Sequence, residues 1–337
     1  MIYVGIDVAA ESFAVTVFFG PERYKTSPDV FPNTEAGVKA LLAWLHAQGT
    51  SPEQLHVCLE NTGVYSEILS YQLHERGYRL SLLDPRTLSK AFPDGEPKTD
   101  QIDSRKLAEY GFRYADKLRT WQPQAEAVEQ IRVVLATREQ LVEQKTAAMN
   151  SRSTLAHKRI QTPAANQALE STIAHLRDQI ALLEKELKRL IQSQPKLLQG
   201  VSLLMTAPGV SWLLSGHFVV LTRGFSEIPS YRSLAQYLGI APNEHRSGTS
   251  VRRKPRSRGY GPGAIRKLLH LAARSNSTHK PAARTYYLAK IALGKPKKLV
   301  INNLANKLLK RLCAMLRHQQ PYIEGFQGCD SRLPALA

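Results

Sequence analysis

Two short apolar runs open the chain. Residues 2–7 and 13–19 are long enough for strands, and Ala9-Ala10-Glu11 makes the turn between them. A polar segment near 24–31 predicts a third strand at a sheet edge. Val38, Leu41, Leu42 and Leu45 recur at helical spacing and predict a helix over 34–48. A strand at 55–60, a helix at about 64–76, a strand at 79–83 and a helix from about 100 to 116 follow.

Strand–strand–strand–helix–strand–helix–strand–helix is the element order of an RNase H-like fold, so residues 1–120 read as one α/β domain. From Leu169 the pattern changes. Leu169, Ile173, Leu176, Ile180, Leu183, Leu187 and Leu190 are separated by alternating steps of four and three, the seam of a coiled coil. Glu184, Lys185 and Arg189 lie off that seam. A polar helix over about 124–158 precedes it, and Pro163 separates the two. An antiparallel hairpin, a dimerising arm and two packed helices of one bundle all fit this spacing. The expected organisation is an α/β domain at 1–120, a helical coiled-coil region at 121–198, a mainly α domain at 199–325 and a tail at 326–337.

At 337 residues and 43% hydrophobic content the chain has room for two domains with real cores. No apolar run reaches the roughly 18 residues that span a bilayer. The start, Met-Ile-Tyr-Val-Gly-Ile-Asp, has neither the basic region nor the cleavage site of a signal peptide. Cys58, Cys313 and Cys329 lack metal-binding spacing and read as free thiols of a cytoplasmic, reducing compartment. The formal net charge is +18, and its placement matters more than its size. Residues 251–337 hold 19 of the 46 basic residues and 2 of the 28 acidic ones. So concentrated a positive field attracts a polyanion. The segment has no strongly apolar amphipathic face, which argues against a membrane partner.

Four acids stand where metal-dependent phosphodiester chemistry would need them. Asp7 ends the first apolar run, Glu60 ends the run His56-Val57-Cys58-Leu59, and Asp100 and Asp103 open the helix that starts near 100. Acids at the ends of two buried strands, with an i, i+3 pair on one helix face, can converge on a point. A hard cation, Mg2+ or Mn2+, takes several such oxygens. Each acid alone has a plainer reading, as a turn residue or as a favourable charge at a helix start.

A second chemical segment runs from about 205 to 275. Met205-Thr206-Ala207-Pro208-Gly209-Val210 is a turn whose backbone amides could approach phosphates. Leu234-Ala235-Gln236-Tyr237-Leu238-Gly239-Ile240-Ala241-Pro242 leads to a polar loop at 245–250, then to Arg252, Arg253, Lys254, Arg256 and Arg258. A serine among guanidinium groups is placed to attack a phosphate, with the arginines offsetting transition-state charge. From these residues alone Ser247, Ser250 and Ser257 are equivalent.

Together these motifs resemble the DEDD transposases of bridge-RNA-guided insertion sequences, RNA-guided serine recombinases. The resemblance spans almost the whole chain. It is carried by Gly5-Ile6-Asp7, Glu60-Asn61-Thr62-Gly63-Val64-Tyr65, Lys98-Thr99-Asp100-Gln101-Ile102-Asp103 with Leu107-Ala108, Pro208-Gly209-Val210, Gly239-Ile240-Ala241-Pro242, Ser247-Gly248 and Gly294-Lys295-Pro296-Lys297-Lys298. It implies a RuvC-like amino-terminal domain, a helical coiled-coil region and a carboxyl-terminal transposase domain. It also implies catalytic, metal-binding acids at Asp7, Glu60, Asp100 and Asp103, and a nucleophilic serine at Ser247. One departure is Gly261-Pro262, where the family usually has Gly-Asn before the Leu-Arg helix.

The reaction the resemblance implies is strand exchange between double-stranded donor and target DNA, through a serine–DNA link and with Mg2+ or Mn2+. A structured non-coding guide RNA would carry most sequence choice. The active enzyme would be a homo-oligomer, a dimer or tetramer. Arg246, Arg252, Arg253, Lys254, Arg256, Arg258, Arg266, Lys267, Lys295, Lys297 and Lys298 are the expected nucleic-acid contacts. Two rivals share the fold: a junction-resolving nuclease whose acids activate water, and a non-catalytic RNA- or DNA-binding scaffold.

Overall fold

The structure, a computed structural model, describes residues 1–21, 23–27, 30–61, 63–92, 99–160, 162–247, 251–257 and 261–324, and for 243–247 and 251–256 it describes the backbone. The chain divides into two compact units, Met1–Pro123 and Gln124–Ala337.

The first unit holds β1 (Ile2–Val8), β2 (Ser12–Gly20), β3 (Arg23–Thr26), β4 (Phe31–Pro32), α1 (Glu35–Ala47), β5 (Leu55–Glu60), α2 (Val64–Glu75), β6 (Arg79–Leu83), α3 (Pro85–Ala91) and α4 (Asp100–Arg113). The sheet order is β3-β2-β1-β5-β6, with β4 pairing to β2. Strands β1, β2 and β3 are antiparallel neighbours, and β5 and β6 run parallel to β1. This mixed sheet agrees with the RNase H-like expectation. The single edge strand expected near 24–31 is instead two short pieces, β3 and β4, both on β2. A register shift between Phe18 and Gly20 accompanies the β3 pairing, and no apolar alternation in that stretch marks a longer strand.

Helices lie on both faces, which is why β1, β2 and β5 read as continuous apolar runs. Val4, Ile6, Val15, Val17, Val57 and Leu59 pack with Val38, Leu41 and Leu45 of α1 and Leu69 and Leu73 of α2. Each such fully buried side chain contributes roughly 1.5–3 kcal/mol of transfer free energy. The opposite face is covered by α4. Gly5 accepts it, because a Cβ there would lie 1.9 Å from the Ser104 carbonyl oxygen. On the helix side, a Cβ at Gly111 would lie 2.7 Å from Cys58 Sγ and 2.8 Å from the Tyr3 ring.

The second unit begins with a helical hairpin, α5 (Glu126–Ala156) and α6 (Pro163–Gln192). Two ion pairs set its register: Arg138 to Glu184 at 2.7 Å and Arg152 to Glu170 at 3.7 Å. Moving 14 residues up one helix moves 14 down the other, so the helices are antiparallel and in step. Ile173, Leu176, Ile180, Leu187 and Leu190 of the seam are buried, and the last two pack with Val128, Ile131 and Leu135 of α5.

Next come α7 (Pro195–Met205), α8 (Trp212–Leu221), α9 (Tyr231–Tyr237), β7 (Pro242–Ser247), β8 (Val251–Ser257), α10 (Gly263–His279), α11 (Pro281–Ala292) and α12 (Lys297–His318). Their core joins Leu204, Phe218, Leu234, Leu238, Ile265, Leu269, Leu308 and Leu312. Among the described residues the segment expected as a polar loop contributes two antiparallel strands, β7 and β8. Arginines and lysines occupy positions where apolar alternation would have marked strands, so the usual signal of a ribbon is missing. The Pro208-Gly209-Val210 turn precedes α8 as expected. A Cβ at Gly209 would lie 3.2 Å from Ala272 of α10, and Asn276 donates to the Pro208 carbonyl at 2.9 Å. That turn packs onto a helix.

Candidate active site

Two carboxylates are set side by side by sheet register. Strands β1 and β5 pair in parallel through Gly5↔Cys58 and Ile6↔Leu59. Asp7 and Glu60 are the next residues on each strand. Register partners in a parallel pair point to the same face, so both acids project toward the side that α4 covers. Both are partly exposed at the carboxyl edge.

The same packing brings α4 to that edge. Gly111 lies over Tyr3, and Ser104 lies over Gly5. Going backward along α4 therefore follows β1 forward, and the first helical turn reaches the level of Asp7. Asp100 and Asp103 sit in that turn, on the face that continues through Ser104, Leu107, Ala108 and Gly111. The turn is capped by Thr99, whose hydroxyl accepts from the Ile102 amide at 3.3 Å. Asp100 is exposed and Asp103 half-buried, 3.8 Å from Lys106. Among the described residues no three His, Cys, Asp or Glu side chains are drawn together tightly enough to hold a metal ion. Asp7 and Glu60 thus end adjacent strands on the face that α4 covers, Asp100 and Asp103 open α4, and among the described residues these carboxyl groups are not closed onto a point.

Residues that sequence reasoning missed hold this edge in place. Thr16 of β2 bonds Ser104 through their hydroxyls at 2.8 Å, and Thr26 of β3 bonds Thr16 at 3.0 Å. Ser104 also donates to the Gln101 carbonyl at 2.9 Å. This hydroxyl chain joins α4 to two strands inside an apolar layer, where a lost partner is costly. Asn33 donates to the carbonyls of Ala9 at 3.1 Å and Tyr65 at 2.9 Å. It thereby ties the turn after β1 to the start of α2, the two segments just beyond Asp7 and Glu60. None of these polar residues breaks a pattern, so their signal in the sequence is only a hydroxyl or amide amid apolar neighbours. Cys58 is no competing ligand: burial pushes its thiol up to about 12.

The ribbon β7–β8 carries Ser247 at the end of β7, in register with Val251, while Arg246 pairs with Arg252 and His245 with Arg253. Lys254 and Arg256 lie on β8, and Arg258 lies outside the described residues. The base of the ribbon is strongly fixed. Asn302 and Asn306, one turn apart on α12, both donate to the Ile240 carbonyl, at 3.0 and 2.9 Å. His270 of α10 donates to Asn302 at 3.1 Å. Arg266 donates to the Leu238 carbonyl at 3.3 Å. Gly261 has φ +94, and a Cβ there would lie 1.9 Å from the Tyr237 carbonyl oxygen. Arg266 therefore supports this base as well as adding charge. Lys267, Lys295, Lys297 and Lys298 are exposed.

No helix among the described residues is long and apolar enough to cross a membrane. Comparison with known proteins bears on both segments. The DEDD family model of IS110, described as a transposase, matches residues 4–157, which include the carboxylate edge. The model of the IS116/IS110/IS902 transposase family matches residues 201–288, which include the ribbon. The chain is 27% identical to the pilin gene-inverting protein of Moraxella bovis over 328 residues, 95% of this chain and 97% of that protein. The pilin gene-inverting protein of Moraxella lacunata matches with the same identity and coverage. An uncharacterized 43.6 kDa protein of insertion element IS110 from Streptomyces coelicolor is 30% identical over 168 residues, 50% of this chain and 38% of that protein. With both family models matching in order along one polypeptide, and with relatives similar over nearly its full length, the chain belongs to the IS110 family of DEDD transposases, enzymes of DNA transposition and recombination.

Proposed function

We propose that this transposase exchanges DNA strands with Asp7, Glu60, Asp100 and Asp103 as the holders of a divalent cation and Ser247 as the nucleophile. The observation that carries the cation assignment is the placement of Asp7 and Glu60 at the ends of the adjacent parallel strands β1 and β5, on the face packed by α4. The donor set suits the group: four hard carboxylates, with the one nearby thiol held protonated by burial. Mg2+ or Mn2+ bound there supplies Lewis-acid stabilisation of charge on phosphate oxygens. Asp103 would exchange Lys106 for that role, a small rotation for a partly exposed side chain. The positive end of α4 tempers the crowding of four negative charges.

Ser247 would attack the scissile phosphorus. A bond from Ser247 Oγ to phosphorus forms as the bond to the departing strand oxygen breaks, and that oxygen takes up a proton. Attack by the incoming strand hydroxyl then reverses the step and frees the serine. One phosphate ester replaces another throughout, so no nucleotide is consumed, and the sequence has no Walker-type glycine loop. The basic residues of β7 and β8 stand nearby in sequence to meet DNA phosphates. Guide-RNA pairing and a dimeric or tetrameric enzyme complete this reading. The resemblance to RNA-guided recombinases supports them.

The test is strand exchange by Asp7→Asn, Glu60→Gln, Asp100→Asn and Asp103→Asn. Each should lose on the order of a hundredfold or more in rate, and double variants should be little worse than single ones, because the acids act as a unit. Melting curves with and without Mg2+ should show the metal stabilising the parent and not the Asp7 or Glu60 variants. Full activity in chelator, or in any two of the four variants, would contradict the assignment.

A further inference from the structure

The α11–α12 surface carries cations that strand exchange leaves unused. From Arg246 to Ile323 the chain contains no Asp or Glu. Within that stretch Lys307 Nζ sits 3.5 Å from the ring centroid of Tyr286, and Lys290 Nζ lies 5.8 Å from the same centroid. Arg311, one turn beyond Lys307 on α12, lies with its guanidinium 5.8 Å from the ring of Tyr322. Burial pushes the Lys307 ammonium down, and the neighbouring Arg311 and Lys290 charges push it in the same direction. Among the described residues none of the three cations is ion-paired with a carboxylate.

Helix packing therefore holds three like charges together, with an aromatic ring beneath two of them and, among the described residues, no counterion beside them. Tyr286 is itself packed against the core, which fixes the arrangement. Such a cluster costs repulsion in the free protein, and an anion removes that cost. Exposed Lys295, Lys297, Lys298 and Lys310 continue the positive surface, so a polyanion satisfies it where a small ion would not. With a lysine already over the Tyr286 ring, the contact is to backbone phosphate and not to a stacked base.

We propose that Lys290, Lys307 and Arg311, organised by Tyr286, form a phosphodiester-binding site that holds nucleic acid without reading its sequence. The site works independently of the four acids and of Ser247, so the experiment measures binding only. Fluorescence anisotropy of the full chain with a labelled duplex of arbitrary sequence, and with a labelled single strand, is recorded against salt. In the triple variant Lys290→Gln, Lys307→Gln, Arg311→Gln, the slope of log affinity on log salt should flatten by about 0.9 per cation for duplex or about 0.7 per cation for single strands. The substrate that shows its flattening is the one held here. Tyr286→Leu, which leaves the charge unchanged, should weaken binding severalfold, because the cations lose their common support. Removing Lys185, Lys188 and Lys196 instead should leave the slope as it was. An unchanged slope in the first triple variant, or equal flattening in the second, overturns the proposal. So does a result in which the first variant loses only its binding to anionic lipid vesicles.

Discussion

A missing side-chain atom at Gly5 decides where the first turn of α4 lies. The Ser104 carbonyl and the Ala108 amide both fall inside the volume that a Cβ would fill, at 1.9 and 2.4 Å. Both are backbone atoms, so the helix itself would have to move. Gly5→Ala should destabilise the protein by roughly 1–3 kcal/mol or more, as overpacking does, and should abolish strand exchange even where the chain remains folded. Gly263→Ala is the control: a Cβ there meets nothing within 4 Å and its backbone is helical. It should be neutral or slightly stabilising. Urea denaturation compares the two, and equal stabilities would show that α4 does not depend on contact at Gly5. At this scale the sequence displayed the acids but not their supports. Asp7 and Glu60 stand out only jointly, as acids closing two apolar runs upstream of the Asp100/Asp103 pair. Gly5, Gly111, Thr16 and Ser104 are small or uncharged, and their importance follows from a tertiary approach that no local pattern encodes.

Among the elements, buried ones were legible and polar ones were not. Strands β1, β2, β5 and β6 were foreseen nearly to the residue, because a strand covered on both faces is uniformly apolar. The two long helices were visible in the apolar spacing and in Pro163, which starts α6, but their pairing as an antiparallel hairpin was one of three arrangements the spacing allowed. The third strand reads as one piece and the β7–β8 ribbon as a loop, because neither segment shows an alternating apolar pattern in the sequence. Instead the ribbon is held from its base. Two amides share the Ile240 carbonyl, matching its two lone pairs, and His270 orients one of them. Asn302→Leu with Asn306→Leu should therefore leave nucleic-acid affinity within about threefold, since no cation is removed. Strand exchange should fall far more than binding, because the strand bearing Ser247 loses its support. A fall in affinity equal to the fall in exchange would contradict a positioning role for the asparagine pair.

For the whole molecule, charge and chemistry are distributed unevenly along one chain. The carboxylates are confined to a sheet edge in the first unit, while the acid-free stretch from Arg246 to Ile323 belongs to the second. A transposase needs both: a centre that stabilises charge on a reacting phosphate, and a positive surface that keeps long polyanions in place. The division was readable from the counts of basic and acidic residues. The architecture of the second unit was only partly so, because its helix at 281–292 lies within the charge-rich region and has no fully buried residue to mark a core-facing stripe. The central claim, strand exchange through a serine link, is tested most directly by trapping the full-length protein with DNA during reaction and digesting the product. A DNA adduct should map to the peptide containing His245-Arg246-Ser247-Gly248, should vanish in Ser247→Ala together with the product, and should persist in Ser250→Ala and Ser257→Ala. Cleavage without an adduct, retained in Ser247→Ala, would contradict that claim and leave a metal-dependent nuclease in its place.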